Sequence, residues 1–235
     1  MQMNTRISLA ATAALALPGL LLAAPATREY PVQDFDALVV SMDIDVDVTT
    51  GPARSVVAEA RNGSFEDLRV NIENGVLRID RPRRSWFKVS RREDYRVRVV
   101  TPALKSVEAS SDADVTVQGD LHGDFTVVTS SDAEVDIRGL NAGSITARAS
   151  SGGDIELAGR CVTLNARASS GADIDAEQLQ CENAQVEASS GSEISVRATG
   201  RISGSVSSGA EVEVYGAGGT VEVAESSGGR VRRKF

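Results

Sequence analysis

The stretch Ala149-Ser150-Ser151-Gly152-Gly153-Asp154-Ile155 decides the fold, because it returns along the chain. It reappears as Ala109-Ser110-Ser111-Asp112-Ala113-Asp114-Val115, as Ala168-Ser169-Ser170-Gly171-Ala172-Asp173-Ile174 and as Val206-Ser207-Ser208-Gly209-Ala210-Glu211-Val212. Ser pairs stand at 110–111, 130–131, 150–151, 169–170, 189–190, 207–208 and 226–227, with spacings of 20, 20, 19, 20, 18 and 19 residues. Self-similarity at such a period marks a stacked repeat.

Each unit alternates apolar and polar residues, as in Asp114-Val115-Thr116-Val117 and Glu211-Val212-Glu213-Val214. That is the period of a strand with one buried face. A second short strand precedes each pair, as in Phe125-Thr126-Val127 and Ile145-Thr146-Ala147, and Gly-containing turns such as Gly119-Asp120 and Gly139-Leu140 separate the strands. A unit of this length is one coil of a solenoid. The chain is therefore expected to be all-β: a right-handed single-stranded parallel β-helix with coils of about 20 residues. The handedness follows from the strong bias of parallel crossovers.

The inward positions form three sets. Val115, Val135, Ile155, Ile174, Ile194, Val212 and Val231 follow the pairs; Val117, Ile137, Leu157, Ala176, Val196 and Val214 come two residues later; Phe125, Ile145, Leu164, Ile202 and Val221 precede the pairs. Coils spaced by about 4.8 Å turn each set into a ladder. Each buried Val or Ile contributes roughly 1.5–3 kcal/mol before chain entropy is counted. One coil cannot bury its own face, so several must stack. Seven coils make a stack roughly 30 Å long. Small Ser residues suit a tight corner at every coil. One Ser of each pair is expected to point inward and hydrogen-bond along the stack; the functional alternative is an exposed hydroxyl row that binds glycan.

Residues 27–101 have the same texture with a weaker repeat. Leu38 to Val48, Leu68 to Ile72, Val76 to Asp80 and Tyr95 to Val100 alternate, and Asn74-Gly75 is a tight-turn pair. These residues are expected to form irregular first coils over the open end of the stack. Regular coils follow over 102–229, and 230–235 is a basic tail, all within a single domain, 27–235. Upstream, Arg6, the apolar run Ile7 to Ala23 and Ala24-Pro25-Ala26 read as a signal peptide, 1–26, cleaved after Ala26. No Cys follows the apolar run to carry a lipid, and no later apolar stretch is long enough to span a membrane. The expected location is the periplasm, the outer cell surface or the medium.

Composition narrows the partners. The charge is −8, from 33 acidic and 25 basic residues, which excludes nucleic acid, because phosphate neutralisation needs a basic face. Aromatic residues make up 4% of the chain, so β-branched residues and Leu must fill the core. Asp114, Glu134, Asp154, Asp173, Glu193 and Glu211 hold one outward repeat position, and Asp136, Glu156, Asp175 and Glu213 another. Neighbours in such a row repel by roughly 1 kcal/mol even in water. A solvated face that discourages sheet association accounts for them. Weak divalent-cation binding is the alternative, but the Gly-Asp nonapeptide of calcium-binding β-rolls is missing. Cys161 and Cys181 each lie eight residues before a Ser pair. They are expected in adjacent coils, within disulfide range and in an oxidising compartment. A charged loop, Arg81-Pro82-Arg83-Arg84-Ser85-Trp86-Phe87-Lys88, offers a surface for anionic lipid or lipopolysaccharide: Arg83, Arg84 and Lys88 attract the headgroups while Trp86 and Phe87 insert.

Catalysis finds no foothold. Carboxylate pairs suited to polysaccharide hydrolysis recur at every coil, so no odd cluster marks an active site. His122 is the only histidine and has no nucleophile beside it in the turn. Ser-Ser-Gly is not the Gly-x-Ser-x-Gly elbow. No cofactor or metal set is indicated.

Three further segments carry a resemblance: Phe35-Asp36-Ala37-Leu38-Val39-Val40, Asn74-Gly75-Val76-Leu77-Arg78-Ile79, and Tyr95 to Val107 with its Thr101-Pro102-Ala103-Leu104 centre. Followed by the Ser-Ser-Gly-Ala-Asp-Ile coils, they make residues 30–225 resemble the bacterial "putative auto-transporter adhesin, head GIN domain" family, a domain of unknown function. The resemblance implies an exported parallel β-helix and supplies no catalytic residues. The expected role is non-enzymatic binding of a glycan or an envelope or surface protein through an extended solenoid face. The alternatives are a polysaccharide-active β-helix enzyme and a structural or stress-related envelope component.

Overall fold

A computed structural model describes residues 25–61, 63–82, 93–216 and 219–234. Within them lie β1 (Ala26–Tyr30), β2 (Ala37–Ser41), β3 (Asp45–Thr50), β4 (Ser55–Ala60), β5 (Arg69–Glu73), β6 (Val76–Asp80), β7 (Tyr95–Thr101), β8 (Ser106–Ser110) and β9 (Asp114–His122). There follow β10 (Phe125–Ser130), β11 (Glu134–Ser150), β12 (Asp154–Ser169), β13 (Asp173–Ser189), β14 (Glu193–Ala198), β15 (Arg201–Val206), β16 (Glu211–Tyr215), β17 (Thr220–Glu225) and β18 (Arg230–Lys234). There is no helix among the described residues, and the strands wind into a β-solenoid of about six turns with coils of about 20 residues.

Every coil contributes one stretch before the Ser corner and one after it, so the solenoid has two long sheets. The first sheet runs β5-β6-β2-β8-β10 and on through β11, β12, β13, β15 and β17. The second runs β1-β4-β7-β3-β9 and on through β11, β12, β13, β14, β16 and β18. All pairings from β6 and β7 onward along the stack are parallel. The ladders expected from the alternation are present: Val115, Val135, Ile155, Ile174, Ile194 and Val212 stand in register and are buried.

The corners differ from the expected arrangement. The second Ser of each pair and the residue after it both adopt positive φ, as at Ser170 (58°) and Gly171 (70°) or Ser111 (58°) and Asp112 (59°). Two consecutive left-handed residues turn the Ser side chains outward and aim the backbone along the stack. The Gly171 N–H donates to Ser190 O at 3.1 Å, and the Gly152 N–H to Ser170 O at 3.3 Å. Backbone atoms, not inward hydroxyls, therefore tie corner to corner. The inward place falls to the next small residue: Ala113, Ala133, Gly153, Ala172, Ser192 or Ala210. Ser192 is the one hydroxyl in that row. It donates to Ala168 O at 3.0 Å and accepts the Ser189 N–H at 3.1 Å, so its burial leaves nothing unsatisfied. A second bend follows at Gly139 (φ 93°), where the register shifts between Arg138 and Leu140. A Cβ there would collide with the Gly119 carbonyl oxygen.

Residues 26–101 enter the stack in an order that periodicity does not show. β2 and β3 lie inside, between β8 and β9 on one side and β6 and β7 on the other. Three antiparallel strands, β1, β4 and β5, complete this end. The β5–β6 hairpin turns through Asn74 (φ 52°) and Gly75 (φ 78°), the positive pair a tight hairpin requires. Beneath it Phe65 stacks on Tyr95 at 6.2 Å, and the Arg81 guanidinium sits 4.6 Å over the Tyr95 ring. Burial, and then the hydrogen bond Tyr95 donates to Asp67, push the Tyr95 ionisation up.

The basic C-terminal segment is not a loose tail. Val231 continues the Val212 ladder, so Arg230–Lys234 forms β18 against β16. In this last coil Glu225 and Arg233 take positions that are apolar one coil earlier, opposite Val206 and Val214. Charge at the inward places of a terminal coil discourages edge-to-edge association.

Candidate functional site

The two sheets present unlike faces to solvent. On the second, the outward row reads Arg96, Asp45, Asp114, Glu134, Asp154, Asp173, Glu193, Glu211 and Arg230 in register. The acidic row recognised in the repeat thus extends to Asp45 and is closed by an arginine at each end. Partial burial in the sheet surface, and then neighbouring carboxylates, raise the pKa of Asp114, Glu134 and Glu193. Asp154 shifts the same way from burial and Asp173, and Asp45 shifts up from burial although Arg96 pulls it down. Two residues on, a second row carries Arg98, Asp47, Thr116, Asp136, Glu156 and Asp175, then Ser195, Glu213 and Arg232. The ends are ion-paired: Arg96 to Asp47 at 2.5 Å, Arg232 to Glu211 at 2.8 Å and Lys234 to Glu213 at 2.9 Å. Among the described residues no three His, Cys, Asp or Glu side chains converge as a metal site would need.

The first sheet carries fewer carboxylates: from β8 to β15 they are Glu108 and Glu187, with Glu73, Asp80, Glu222 and Glu225 toward its ends. Ser110, Ser130, Ser150, Ser169 and Ser189, the first member of each pair, line it in register at the corner. A parallel row holds Ser106, Thr126, Thr146, Asn165, Gln185 and Ser203. Between them a shallow groove of about 490 Å³ is lined by Val128, Arg148, Arg167, Glu187 and Ser205 together with the corner serines. Hydroxyls, amides and guanidinium groups thus recur at coil spacing, about 4.8 Å, along an open surface. This face can donate and accept hydrogen bonds repeatedly along one axis.

Cys161 and Cys181 pair as their phase predicts. They stand in register in β12 and β13, buried and disulfide-bonded. His122 ends β9 with its side chain exposed. The basic-loop residues Arg83, Arg84, Trp86, Phe87 and Lys88 lie outside the described residues, as do residues 1–24, which hold most of the expected signal peptide. The loop's root is fixed: Arg81 donates to Asp43 O at 2.7 Å, and Arg69 donates to Arg81 O at 3.0 Å. No helix among the described residues is long and apolar enough to cross a membrane. Sequence reasoning passed over Arg148 and Arg167. Both stand two residues before a Ser pair, so the phase of the repeat already carried the signal.

A parallel solenoid with two open, chemically distinct long faces is a scaffold for recognition over an extended surface. The chain belongs to the family described as "Putative auto-transporter adhesin, head GIN domain", whose model matches residues 34–218. No curated protein matches it in sequence. It is similar in structure to a putative adhesin from Bacteroides fragilis, with a TM-score of 0.80, 16% identity and coverage of 90% of this chain and 97% of that one. A putative lipid binding protein from Parabacteroides distasonis gives a TM-score of 0.68 at 18% identity over 90% and 97% of the two chains. A putative adhesin from Parabacteroides merdae gives 0.68 at 15% identity over 90% and 96%. At such identities the likeness is one of fold.

Proposed function

We propose that this is an exported, non-catalytic recognition protein of the cell envelope or surface that binds a glycan chain along the first sheet. One observation carries the reading: rows of Ser, Thr, Asn and Gln side chains stand in register over consecutive coils of that sheet, from β8 to β15. Their spacing is close to the advance of one pyranose unit in an extended glycan. Sugar hydroxyls are satisfied by such short side chains, and repetition supplies avidity that one weak contact lacks. The acidic second sheet keeps the particle soluble and turns anionic surfaces toward the other face. The family and two of the neighbours carry adhesin names, which fits a binding role. An array of envelope and host glycans, probed with the purified protein with and without calcium, tests this. Retention of a defined glycan class is expected; a blank array overturns the reading.

A second reading has its own support. Arg83, Arg84 and Lys88 beside Trp86 and Phe87 suit contact with anionic lipid or lipopolysaccharide, and one structural neighbour is named a lipid binding protein. Co-sedimentation with anionic vesicles should then fall on Trp86→Ala with Arg83→Ala; unchanged sedimentation would remove this contact.

A further inference from the structure

The central outward row of the first sheet reads Glu108, Val128, Arg148, Arg167, Glu187 and Ser205, in register over consecutive coils. Arg167 is engaged: its Nε and Nη2 meet the two Glu187 carboxylate oxygens at 2.9 and 3.1 Å. Arg148, exposed on the next coil, makes no ion pair or hydrogen bond among the described residues. The trio Arg148, Arg167 and Glu187 thus holds one uncompensated positive charge in a groove otherwise lined by hydroxyls and small side chains.

We propose that Arg148 is the acid-reading position of this face: it takes the carboxylate or sulfate of an isolated acidic sugar within an otherwise neutral glycan lying along the solenoid axis. The inference rests on the glycan reading above and names the substrate class for the same surface. A guanidinium presents a planar fork that matches a carboxylate or sulfate. Thr146 and Ser150, the neighbouring outward residues on the same strand, flank that fork with hydroxyls. Glu108 and Glu187 each lie two coils from Arg148, at roughly 10 Å on either side. That is about one Debye length at physiological salt, so an acid on every sugar would meet repulsion at Glu108 and gain nothing at the Arg167–Glu187 pair, whose charges already offset each other. A sparsely charged glycan escapes it. An extended peptide advances about 3.3 Å per residue and falls out of step with coils about 4.8 Å apart, so it fits the rows poorly.

Calorimetric titration of the purified protein tests this with five probes of equal length. They are an unbranched xylo-oligosaccharide, the same chain with one glucuronate branch, the same chain with one sulfate, an oligogalacturonate, and an extended peptide with one Glu. The branched or the sulfated chain should bind about tenfold tighter than the unbranched one at low salt, the size of one charge-assisted contact. The oligogalacturonate should gain nothing. Arg148→Gln should erase the tenfold difference between the charged and the neutral chains and leave the melting temperature unchanged. If the neutral chain binds but an acid adds nothing, or if Arg148→Gln keeps the gain, the inference fails and the glycan reading stands. A peptide that binds as tightly as the acidic glycans also overturns it. Silence from all five probes and a blank array would sink both.

Discussion

Cys161 and Cys181 face each other across adjacent coils with their Cα atoms 4.5 Å apart and their sulfurs bonded. Ala142 and Ala198 occupy the same ladder on either side. Alanine therefore suits that row, and the bond can be removed without leaving an ill-fitting side chain. Closing a loop of 20 residues is worth about 3 kcal/mol in the chain-entropy model. The double variant Cys161→Ala with Cys181→Ala should lose about that much stability in urea. An equal loss on simple reduction of the wild type would confirm the cross-link as the cause.

The ladders predict a gradient of cost. Ile174 is buried between Ile155 and Ile194, whereas Val231 is half-buried in the last of the described coils. Ile174→Ala should cost about 2–5 kcal/mol and Val231→Ala well under half of that. Equal losses in chemical denaturation would argue against a stack whose end coil is only partly covered.

Corner strain predicts a gain. Ser170 holds a φ of 58°, a region that costs a side chain-bearing residue about 1–2 kcal/mol and glycine nothing, while glycine adds freedom to the unfolded chain. Ser170→Gly should gain up to about 1 kcal/mol, and Ser170→Val should lose stability. Denaturation midpoints moving the other way would mean that the Ser170 hydroxyl matters more than its backbone.

The acidic row predicts an inverted pH dependence. Asp114, Glu134, Asp154 and Glu193 have pKa values raised above 3.8 for Asp and 4.5 for Glu, first by burial and then by their neighbours. The folded state therefore binds protons that the unfolded chain has released, and folding takes protons up. The penalty is complete above the raised values and disappears as pH falls through them toward the ordinary ones. The urea midpoint should thus rise from neutral pH into that window, and Glu134→Gln should flatten the rise. Glu213 runs opposite: Lys234 lowers its pKa, so its contribution is lost at more acid pH, and stability should turn down again.

Much of this was legible in the residues. The phase of the Ser pairs placed Ile155 opposite Ile174, Cys161 opposite Cys181, and Glu134 in the acidic row, because one residue position recurs at one place in every coil. Three features escaped for physical reasons. Alternation is the same in parallel and antiparallel strands, so nothing in Ser55–Ala60 or Ala26–Tyr30 told that β4 and β1 run against β7 and β4. Stack order depends on long-range pairing, so the seating of β2 between β6 and β8 was invisible. A Ser-Ser pair names a tight corner without revealing its φ, and both side chains turned outward where one was expected inside. The free guanidinium of Arg148 was hidden for a further reason: only the Arg167–Glu187 pairing shows which of two adjacent arginines is engaged.

The central claim is that the first sheet, and not the acidic one, meets a glycan. The most direct measurement compares three proteins on one glycan array: the wild type, Gln185→Trp on the hydroxyl face, and Asp175→Trp on the acidic face, both exposed outward positions. The account predicts that the wild type and Asp175→Trp retain the same glycans and that Gln185→Trp loses them. Retention by Gln185→Trp with loss by Asp175→Trp would contradict it and move recognition to the carboxylate face.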